Sequence, residues 1–368
     1  MKPQPSHCRG QSPVKKERVH PSTTAIVPAA AADQPIERQR GWATPLSRRA
    51  FLATLPLTAA VAACRQRPYR RDDFSLPDRS PMAILPAPSY DVDLADVIYR
   101  GLELLRPQVA GRRVFLKPNI VEYESGTAIN TDPLMVAGAA AAFLKAGAGE
   151  VVVGEGPGHR RDVEYLVAGT GLDEVLTEHR LRFVDLNHDD VVRVPLRSRF
   201  TGLDELWLPV ELVRSDFIVS MPKLKTHHWV AMTASLKNFF GVVPGAVYGW
   251  PKNILHVRGI EQSILDIVAT VKPAFTIVDA IVAMEGDGPI MGKPRQMGFV
   301  AMGTDLVAVD ATCARIIGLD PLKMPYLKVG SEYLGNLAER RIEQRGENPA
   351  RYSTQFDLLE PFKSRRLA

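Results

Sequence analysis

The stretch SDFIVSMPKLKTHHWVAMTASLKNFFGVVPG, residues 215–245, contains an apolar run that leads directly into a cluster of polar residues. The run FIVSM is short and rich in β-branched and aromatic residues, a pattern that predicts a buried strand. The segment SLKNFFG further on predicts a short helix with Phe239 and Phe240 in the core and Gly241 as its C-cap. A buried strand that ends in the lysine-rich segment PKLKTHH is typical of the ligand-binding edge of an α/β sheet.

Strand and helix patterns alternate along the rest of the chain. The predicted strands are MAILPA, RRVFLKPNI, EVVVGEGPG, LRFVDLN, AFTIVDAIVAMEGDGP and RQMGFVAMGTD. The predicted helices include LADVIYRGLELL, DPLMVAGAAAAFLKAGA, VRGIEQSILDIVATV and DLVAVDATCARIIGL. This alternation predicts an α/β fold with a mainly parallel sheet and helices on both faces, with a possible β-rich insertion at the sheet edge around residues 189–212.

The composition divides the chain into four parts. Residues 1–63 predict an export leader, residues 64–81 a polar tether, residues 82–330 the α/β domain and residues 331–368 a less regular C-terminal tail. The first 46 residues are rich in Pro, Ser, Gln and Ala and show no apolar periodicity, which is typical of segments that do not fold by themselves.

The leader carries a recognisable pair of signals. Arg48 and Arg49 precede a short apolar run that ends in VAAC at Cys64. The arginine pair resembles a twin-arginine export signal, and the last four residues resemble a lipobox, in which the cysteine is acylated after cleavage. We therefore expect recognition by the twin-arginine export machinery, a location on the periplasmic side of the cytoplasmic membrane, and a lipid anchor on Cys64. The alternative is a chance arginine pair before an Ala-rich linker.

The charge distribution argues against nucleic-acid binding. The whole chain has a formal charge of +5, but residues 1–63 contain nine Lys or Arg and three Asp or Glu, a net +6, so that the remainder carries −1. A domain without a basic excess lacks the electrostatic attraction on which nucleic-acid binding depends. We expect no nucleic-acid partner.

The chain has three cysteines, Cys8, Cys64 and Cys313, and they form no CxxC motif for zinc or for a built-in iron–sulfur cluster. Cys313 lies on the apolar stripe of a predicted helix, where a core position is expected. A metal or an organic cofactor is left open.

Five predicted strands end in polar or glycine-rich loops. These ends are Lys117-Pro118-Asn119, the GEGPG turn at Gly154, the KLKTHH segment from Lys223, the EGDG turn at Glu285, and Gly303-Thr304-Asp305. In open parallel sheets, ligands bind outside the carboxyl ends of the strands. We therefore expect several of these loops to meet at one edge of the sheet.

The residues at these ends suit a small anionic molecule, because lysines and backbone N–H groups bind carboxylate or phosphate. We predict four catalytic residues: Lys223, Lys225, Glu155 and Glu285. The predicted ligand-binding residues are Lys117, Asn119, Thr226, His227, Lys237 and Asn238. The predicted metal ligands are Asp279, Glu285 and Asp287, because carboxylates bind hard cations. The alternatives are a solvated surface at Lys237 and Asn238 and a solvated turn at the EGDG segment.

The segments LKPNIV, VVVGEGPG, MPKLKTHHWVAMTASLKNFFGVVPG, MEGDGP and VAVDATCARIIGLDP resemble the bacterial and archaeal family called domain of unknown function 362. The resemblance extends from about Met82 to Leu327 and implies a shared α/β domain, but it supplies no reaction. Some relatives carry ferredoxin-like cysteine segments, which implies redox work; this chain lacks those cysteines.

Three functions fit these observations. The first is an enzyme that acts on a small anionic substrate at the carboxyl edge of the sheet. The second is a non-catalytic lipoprotein that binds such a ligand. The third is a redox accessory protein that works with a separate iron–sulfur partner.

Overall fold

The computed structural model describes residues 67–158 and 162–367. The leader, with Arg48, Arg49 and Cys64, lies outside these residues, so the expectations of export and acylation stay predictions. No helix in the described part of the chain is long and apolar enough to cross a membrane.

Within the described residues, ten of the twelve strands form one sheet in the order β12-β1-β11-β10-β7-β2-β3-β4, with β8 and β9 attached beside β10. The strands are β1 (Ser80–Pro86), β2 (Arg113–Pro118), β3 (Glu150–Glu155), β4 (Arg182–Asp185), β5 (Val191–Pro195), β6 (Glu205–Pro209), β7 (Phe217–Met221), β8 (Lys223–His227), β9 (Ala231–Thr233), β10 (Phe275–Glu285), β11 (Lys293–Gly303) and β12 (Ile342–Gly346). The neighbours from β10 through β7, β2 and β3 to β4 are parallel, whereas β11 is antiparallel to both β10 and β1. The predicted mainly parallel sheet is confirmed.

Helices cover both faces of this sheet, as predicted. They are α1 (Leu94–Leu105), α2 (Pro133–Lys145), α3 (Val163–Thr170), α4 (Leu172–Glu178), α5 (Val210–Val213), α6 (Ser235–Asn238), α7 (Gly245–Tyr248), α8 (Asn253–Val257), α9 (Ile260–Val271), α10 (Leu306–Ile316) and α11 (Pro325–Gly330). Successive residues of a strand point to opposite faces. Accordingly, Leu116 of β2 packs in one apolar cluster with α1 to α4, while Phe115 packs in the other with α6, α9, α10 and α11.

The β-rich segment around residues 189–212 is a hairpin, but it does not extend the main sheet. Strands β5 and β6 pair with each other as a separate two-stranded sheet, and the main sheet ends at β4. Most residues of β5 are exposed or half-buried, whereas the central strands β2 and β7 are almost wholly buried. The hairpin instead packs the partly buried Val194 and the buried Leu206 and Leu208 against the core.

The expected tether and tail are both part of the fold, so the predicted domain boundaries are too narrow. Strand β12 lies in the segment predicted as a tail and pairs in parallel with β1, which covers the edge that β1 would otherwise expose. Phe356 is fully buried nearby. At the other end, Tyr69 of the predicted tether is buried and stacks on Tyr333, with ring centroids 4.1 Å apart.

One predicted strand end lies on the wrong edge of the sheet. The link between β10 and β11 is a short turn without a helix, and such a turn joins antiparallel strands. Gly303 therefore lies opposite Thr276, near the start of β10 and away from the carboxyl ends of the parallel strands. Asp305 serves there as the N-cap of α10, where it accepts a hydrogen bond from the amide of Ala308.

Candidate functional site

The carboxyl ends of β2, β3 and β8 open into a cleft with about 870 Å³ of empty space, part of it open to solvent. Strand ends supply its floor, and the segment from α6 to α8 supplies one wall. The cleft brings together seven of the predicted site residues: Lys117, Asn119, Glu155, Lys225, His227, Lys237 and Asn238. The expectation that several strand ends share one site therefore holds for these three strands.

A buried ion pair forms the floor. The Nζ of Lys117, at the end of β2, lies 2.6 Å from each carboxylate oxygen of Glu155, at the end of β3, and both side chains are almost completely buried. Glu155 also accepts hydrogen bonds from the backbone amides of Ile120 and Gly156. Because every carboxylate lone pair is directed at a donor, Glu155 is better suited to fixing the two strand ends than to acting as a general base.

The motif SLKNFFG packs directly on this pair. The Asn238 side chain accepts a hydrogen bond from Lys117 Nζ and donates to the Lys117 carbonyl oxygen and to Ser220 Oγ, which ties α6 to β2 and β7. A Cβ atom at Gly241 would lie 2.5 Å from Glu155 Oε1, so this position must be glycine. Gly241 lies inside a 3-10 turn, Phe239–Val242, that continues α6, and it is not the helix C-cap as expected.

Lys225, on β8, is the exception among the lysines of the sheet edge. Its side chain is fully buried, and its Nζ donates one hydrogen bond, at 2.6 Å, to the carbonyl oxygen of Ile129. Within the described residues no carboxylate pairs with it. Burial, together with the positive charges of Lys237 and Lys223, holds the pKa of this amine well below its usual range.

Lys237 projects from α6 into the same cleft. It is half-buried, and its Nζ lies 4.7 Å from the centroid of the Phe240 ring. Among residues 67–158 and 162–367 no hydrogen-bond acceptor or carboxylate contacts this amine. Burial and the charge of Lys117 lower the pKa of Lys237 to about 8.

Lys252 is the fourth lysine that lines the cleft, beside Lys117, Lys225 and Lys237, and the sequence analysis did not identify it. Its Nζ donates to the carbonyl oxygens of Gly156, at 2.7 Å, and Gly241, at 2.9 Å, and so ties together the loops that follow β3 and α6. Burial lowers the pKa of Lys252 to about 7. The local sequence GWPKNILHV gave no signal, because the partners of Lys252 are backbone atoms that lie far from it in sequence.

Three histidines line the cleft, His227, His228 and His256, and backbone contacts fix different tautomers in His227 and His256. The amide of Trp229 donates to Nδ1 of His227, so the neutral ring of His227 carries its proton on Nε2. In His256, which sequence reasoning also missed, Nδ1 lies 3.1 Å from the Lys252 carbonyl oxygen and must donate to it, which leaves Nε2 as an acceptor. Burial lowers the pKa of both rings, and the charge of Lys237 lowers both further.

Lys223 lies two residues before Lys225 but belongs to a different cluster. Its Nζ lies 2.5 Å from Asp279 Oδ2 and 2.7 Å from the Tyr90 hydroxyl, which itself donates to Asp279 Oδ1. Lys223 lies opposite Asp279 and Lys225 opposite Met284, because the pairing of β8 with β10 shifts between them. Lys223 and Asp279 therefore neutralise each other outside the cleft lining.

The other acidic candidates are also engaged elsewhere. Glu285 pairs with Arg295 at 3.3 Å and accepts a hydrogen bond from the amide of Asp357, and Asp287 lies 3.8 Å from His228. Thr226 donates to the Gly286 carbonyl oxygen and thereby fixes the turn after β10. The structure does not bring Asp279, Glu285 and Asp287 together. No group of three or more His, Cys, Asp or Glu in the described part of the chain is arranged to hold a metal ion.

Asn119 leaves a polar group unsatisfied in the cleft wall. The residue is 8% exposed, and its Oδ1 is buried without a hydrogen-bond partner among the described residues. Buried amide oxygens are normally hydrogen-bonded, because an unpaired one costs roughly 1–3 kcal/mol. A cleft with an unsatisfied amide and amines without carboxylates is suited to binding a polar anionic molecule.

Comparison with known proteins identifies a family. Residues 114–315 match the family described as Domain of unknown function (DUF362), and the chain belongs to it. A thylakoid-associated protein of Synechocystis sp. is 30% identical over 264 residues, which cover 68% of this chain and 73% of that protein. The family assignment expected from the sequence is confirmed.

Two solved structures are similar to this chain. One is a protein from Thermotoga maritima, with a TM-score of 0.37 and 13% identity over 60% of this chain and 57% of that one. The other is the lactate racemase apoprotein from Thermoanaerobacterium thermosaccharolyticum, with a TM-score of 0.41 and 14% identity over 66% of this chain and 59% of that one. The chain thus spans less than two thirds of each solved structure.

The buried pair should dominate the stability of the cleft. Replacing Lys117→Met leaves the Glu155 carboxylate buried without its counter-ion, and removal of one partner of a buried pair costs roughly 3–5 kcal/mol. We expect that loss in the free energy of unfolding measured by denaturant titration. Lys328→Met, at an exposed lysine of α11, is the control and should change it by less than about 0.5 kcal/mol. A loss below about 1 kcal/mol for Lys117→Met would contradict a structural role for the pair.

Proposed function

We propose that this member of the DUF362 family binds a small anionic molecule with an apolar portion in the cleft at the carboxyl edge of its sheet. The observation that carries the proposal is Lys225, a fully buried amine whose one hydrogen bond goes to a neutral carbonyl. Its neighbours Lys117 and Lys223 each face a carboxylate at 2.5–2.6 Å. An anionic ligand would give Lys225 the counter-ion that the described residues do not.

Desolvation of the cleft amines is the energetic reason to expect an anion. An ammonium group removed from water without a counter-ion is costly, and a protein either pairs the group or shifts its pKa. In the free protein, the lowered pKa values of Lys225 and Lys237 reflect that cost. A bound carboxylate or phosphate would restore the charged form and gain charge-assisted hydrogen bonds in a buried site.

The remaining lining indicates what else the ligand carries. Apolar side chains from several loops face the same space, namely Ile120, Val121, Phe240, Pro289 and Ile290. The ligand we propose therefore has an anionic end near Lys225 and a compact apolar body, with Asn119 available to a polar group.

We also propose that the protein works on the outer side of the cytoplasmic membrane, tethered by an acyl chain. The support is the order of Arg48, Arg49 and Cys64 in the sequence. A Cys64→Ala variant should move from the membrane fraction to the soluble periplasmic fraction, since it lacks the acylated residue. An Arg48→Lys, Arg49→Lys variant should stay in the cytoplasm. Unchanged fractionation of both variants would reject the proposal.

The main test of ligand binding uses Lys225→Met. The change removes the cation but keeps an unbranched side chain of similar length. Loss of one partner from a buried charge pair costs about 2–5 kcal/mol, which is roughly 30-fold or more in affinity. Calorimetric titration with phosphate, sulfate and a series of mono- and dicarboxylates should therefore show tight binding to the native chain and little to Lys225→Met.

The same variant separates binding from folding. Because Met removes an unpaired buried charge, we expect the melting temperature of ligand-free Lys225→Met to stay equal to or above that of the native chain. Lys328→Met should bind as the native chain does. A large fall in the melting temperature of Lys225→Met would mark a structural lysine, and failure of every anion to bind the native chain would reject the proposed function.

The lowered amine pKa values predict opposite pH dependences for binding and for stability. Lys237 loses its proton above about pH 8 in the folded protein but only near 10.5 in the unfolded chain. Between these values the unfolded chain binds more protons, so the contribution of Lys237 to the free energy of unfolding rises with pH. Anion affinity should instead fall over the same range, because the protonated Lys237 adds to the positive charge that attracts the anion.

This prediction is checked by denaturant titration and calorimetry at intervals from pH 7 to pH 10. The pH dependence of stability and that of anion affinity also reflect other titratable groups of the cleft, notably Lys117, Glu155, Lys225 and Lys252. The effect of Lys237 is therefore taken as the difference between the native chain and Lys237→Met. That variant should show a weaker rise of stability. Binding to the native chain near pH 9 should take up protons, as judged from titrations in buffers of different ionisation enthalpy. Parallel curves for the two proteins would contradict the prediction.

A further inference from the structure

The cleft contains two kinds of lysine amine: three donate hydrogen bonds to neighbouring atoms, and one donates none to the described residues. Building on the proposed function, we infer that the anionic ligand carries a carbonyl group next to its carboxylate, as a 2-oxo acid does, and that Lys237 Nζ forms a Schiff base with that carbonyl. The carboxylate binds near Lys225.

The contacts of the amines exclude the alternatives to Lys237. Lys117 is paired with Glu155, Lys225 donates to the Ile129 carbonyl oxygen, and Lys252 donates to two backbone carbonyl oxygens. Lys237 has no such acceptor among the described residues, and it is half-buried where the other three are at most 1% exposed. Its amine is therefore the one that a ligand reaches without breaking an existing hydrogen bond.

The surroundings of Lys237 favour the neutral amine, which is the nucleophilic form. Burial and the positive charge of Lys117 disfavour the ammonium form, and they outweigh the attraction of the Phe240 ring, whose centroid lies 4.7 Å from Nζ. The resulting pKa of about 8 leaves roughly a tenth of the amine neutral at pH 7, compared with less than a thousandth at the ordinary value of 10.5. A lysine beside other cations in a partly apolar cleft is the usual arrangement for Schiff-base formation.

The two histidines supply complementary groups for moving protons. His256 offers an unprotonated Nε2, and His227 offers an Nε2–H, because backbone atoms hold the Nδ1 of each ring in the opposite role. Both rings line the cleft, and the charge of Lys237 lowers the pKa of both. His227 is thus suited to donating to a carbonyl oxygen and His256 to accepting a proton from the attacking amine.

The reaction is balanced without an oxidant or a reductant. The lone pair of Lys237 Nζ forms a bond to the carbonyl carbon, and the π electrons of C=O move to oxygen, which takes up a proton. The C–O bond then breaks as C=N forms. The two amine hydrogens leave with the carbonyl oxygen as one molecule of water, so that amine and carbonyl yield imine and water.

Borohydride trapping tests the inference on the full chain. The purified protein is incubated with pyruvate or glyoxylate, reduced with sodium borohydride, and analysed by intact and peptide mass spectrometry. We expect a gain equal to the mass of the oxo acid less one oxygen atom, because imine formation removes water and reduction adds two hydrogens, and we expect it on Lys237. The corresponding 2-hydroxy acid, which has no 2-oxo group, should bind but give no adduct.

Lys237→Arg is the matched variant, because it keeps the positive charge and removes the nucleophile. It should bind the 2-hydroxy acid within about threefold of the native affinity, as expected for a retained cation, and should lose at least nine tenths of the adduct. Lys328→Met should be trapped as the native chain is. The circular dichroism spectrum and melting temperature of each variant show whether it is folded.

The outcomes distinguish this inference from the proposed function. Binding of oxo and hydroxy acids without an adduct would overturn the Schiff base and leave the anion site intact. An adduct on Lys225 or Lys252, or one spread over exposed lysines such as Lys328, would overturn the assignment to Lys237. Failure of every oxo and hydroxy acid to bind would overturn the inference, and failure of phosphate, sulfate and the other carboxylates as well would also overturn the proposed function.

Discussion

The cleft depends on one buried ion pair. Lys117 and Glu155 end two adjacent parallel strands, and their contact at 2.6 Å fixes the spacing of those ends. Neighbouring parts of the cleft are hydrogen-bonded to this pair. The amides of Ile120 and Gly156 donate to its carboxylate, and the side chain of Asn238 accepts a hydrogen bond from its amine. Removing either charge would leave the other buried and unpaired, so the pair is costly to assemble and more costly to break.

The Lys117–Glu155 pair has no net charge, and the other lysines differ in which acceptors or counter-ions their amines contact. Lys223 has Asp279 and Tyr90, Lys252 has backbone carbonyl oxygens, and Lys225 and Lys237 have almost nothing. Such groups lower the stability of the free protein, and strained or uncompensated groups tend to cluster where a protein acts. The contrast between paired and unpaired lysines is therefore more informative than the number of lysines at the sheet edge.

The sequence predicted the sheet and much of the cleft, because both follow from local patterns. Buried strands that end in KPN, GEG and PKLKTHH bring five predicted residues into one cleft, and the segment SLKNFFG adds Lys237 and Asn238. The failures have physical causes. Lys223 and Lys225 separate because the pairing of β8 with β10 shifts between them, which alternation along one strand does not encode. Lys252 binds carbonyl oxygens that any residue supplies, and β12 pairs with β1 from more than 250 residues away, so neither left a local signal.

The attachment of Lys252 has a consequence for how such a cleft diversifies. The lysine grips main-chain oxygens of the loops after β3 and α6, not their side chains. Apart from the glycines that the close packing demands, the side chains on these loops can change without loss of the hydrogen bonds from Lys252. Because these loops are joined through main-chain atoms, substitutions on them can alter ligand preference without changing the fold. Relatives with the same loop arrangement therefore need not share a substrate.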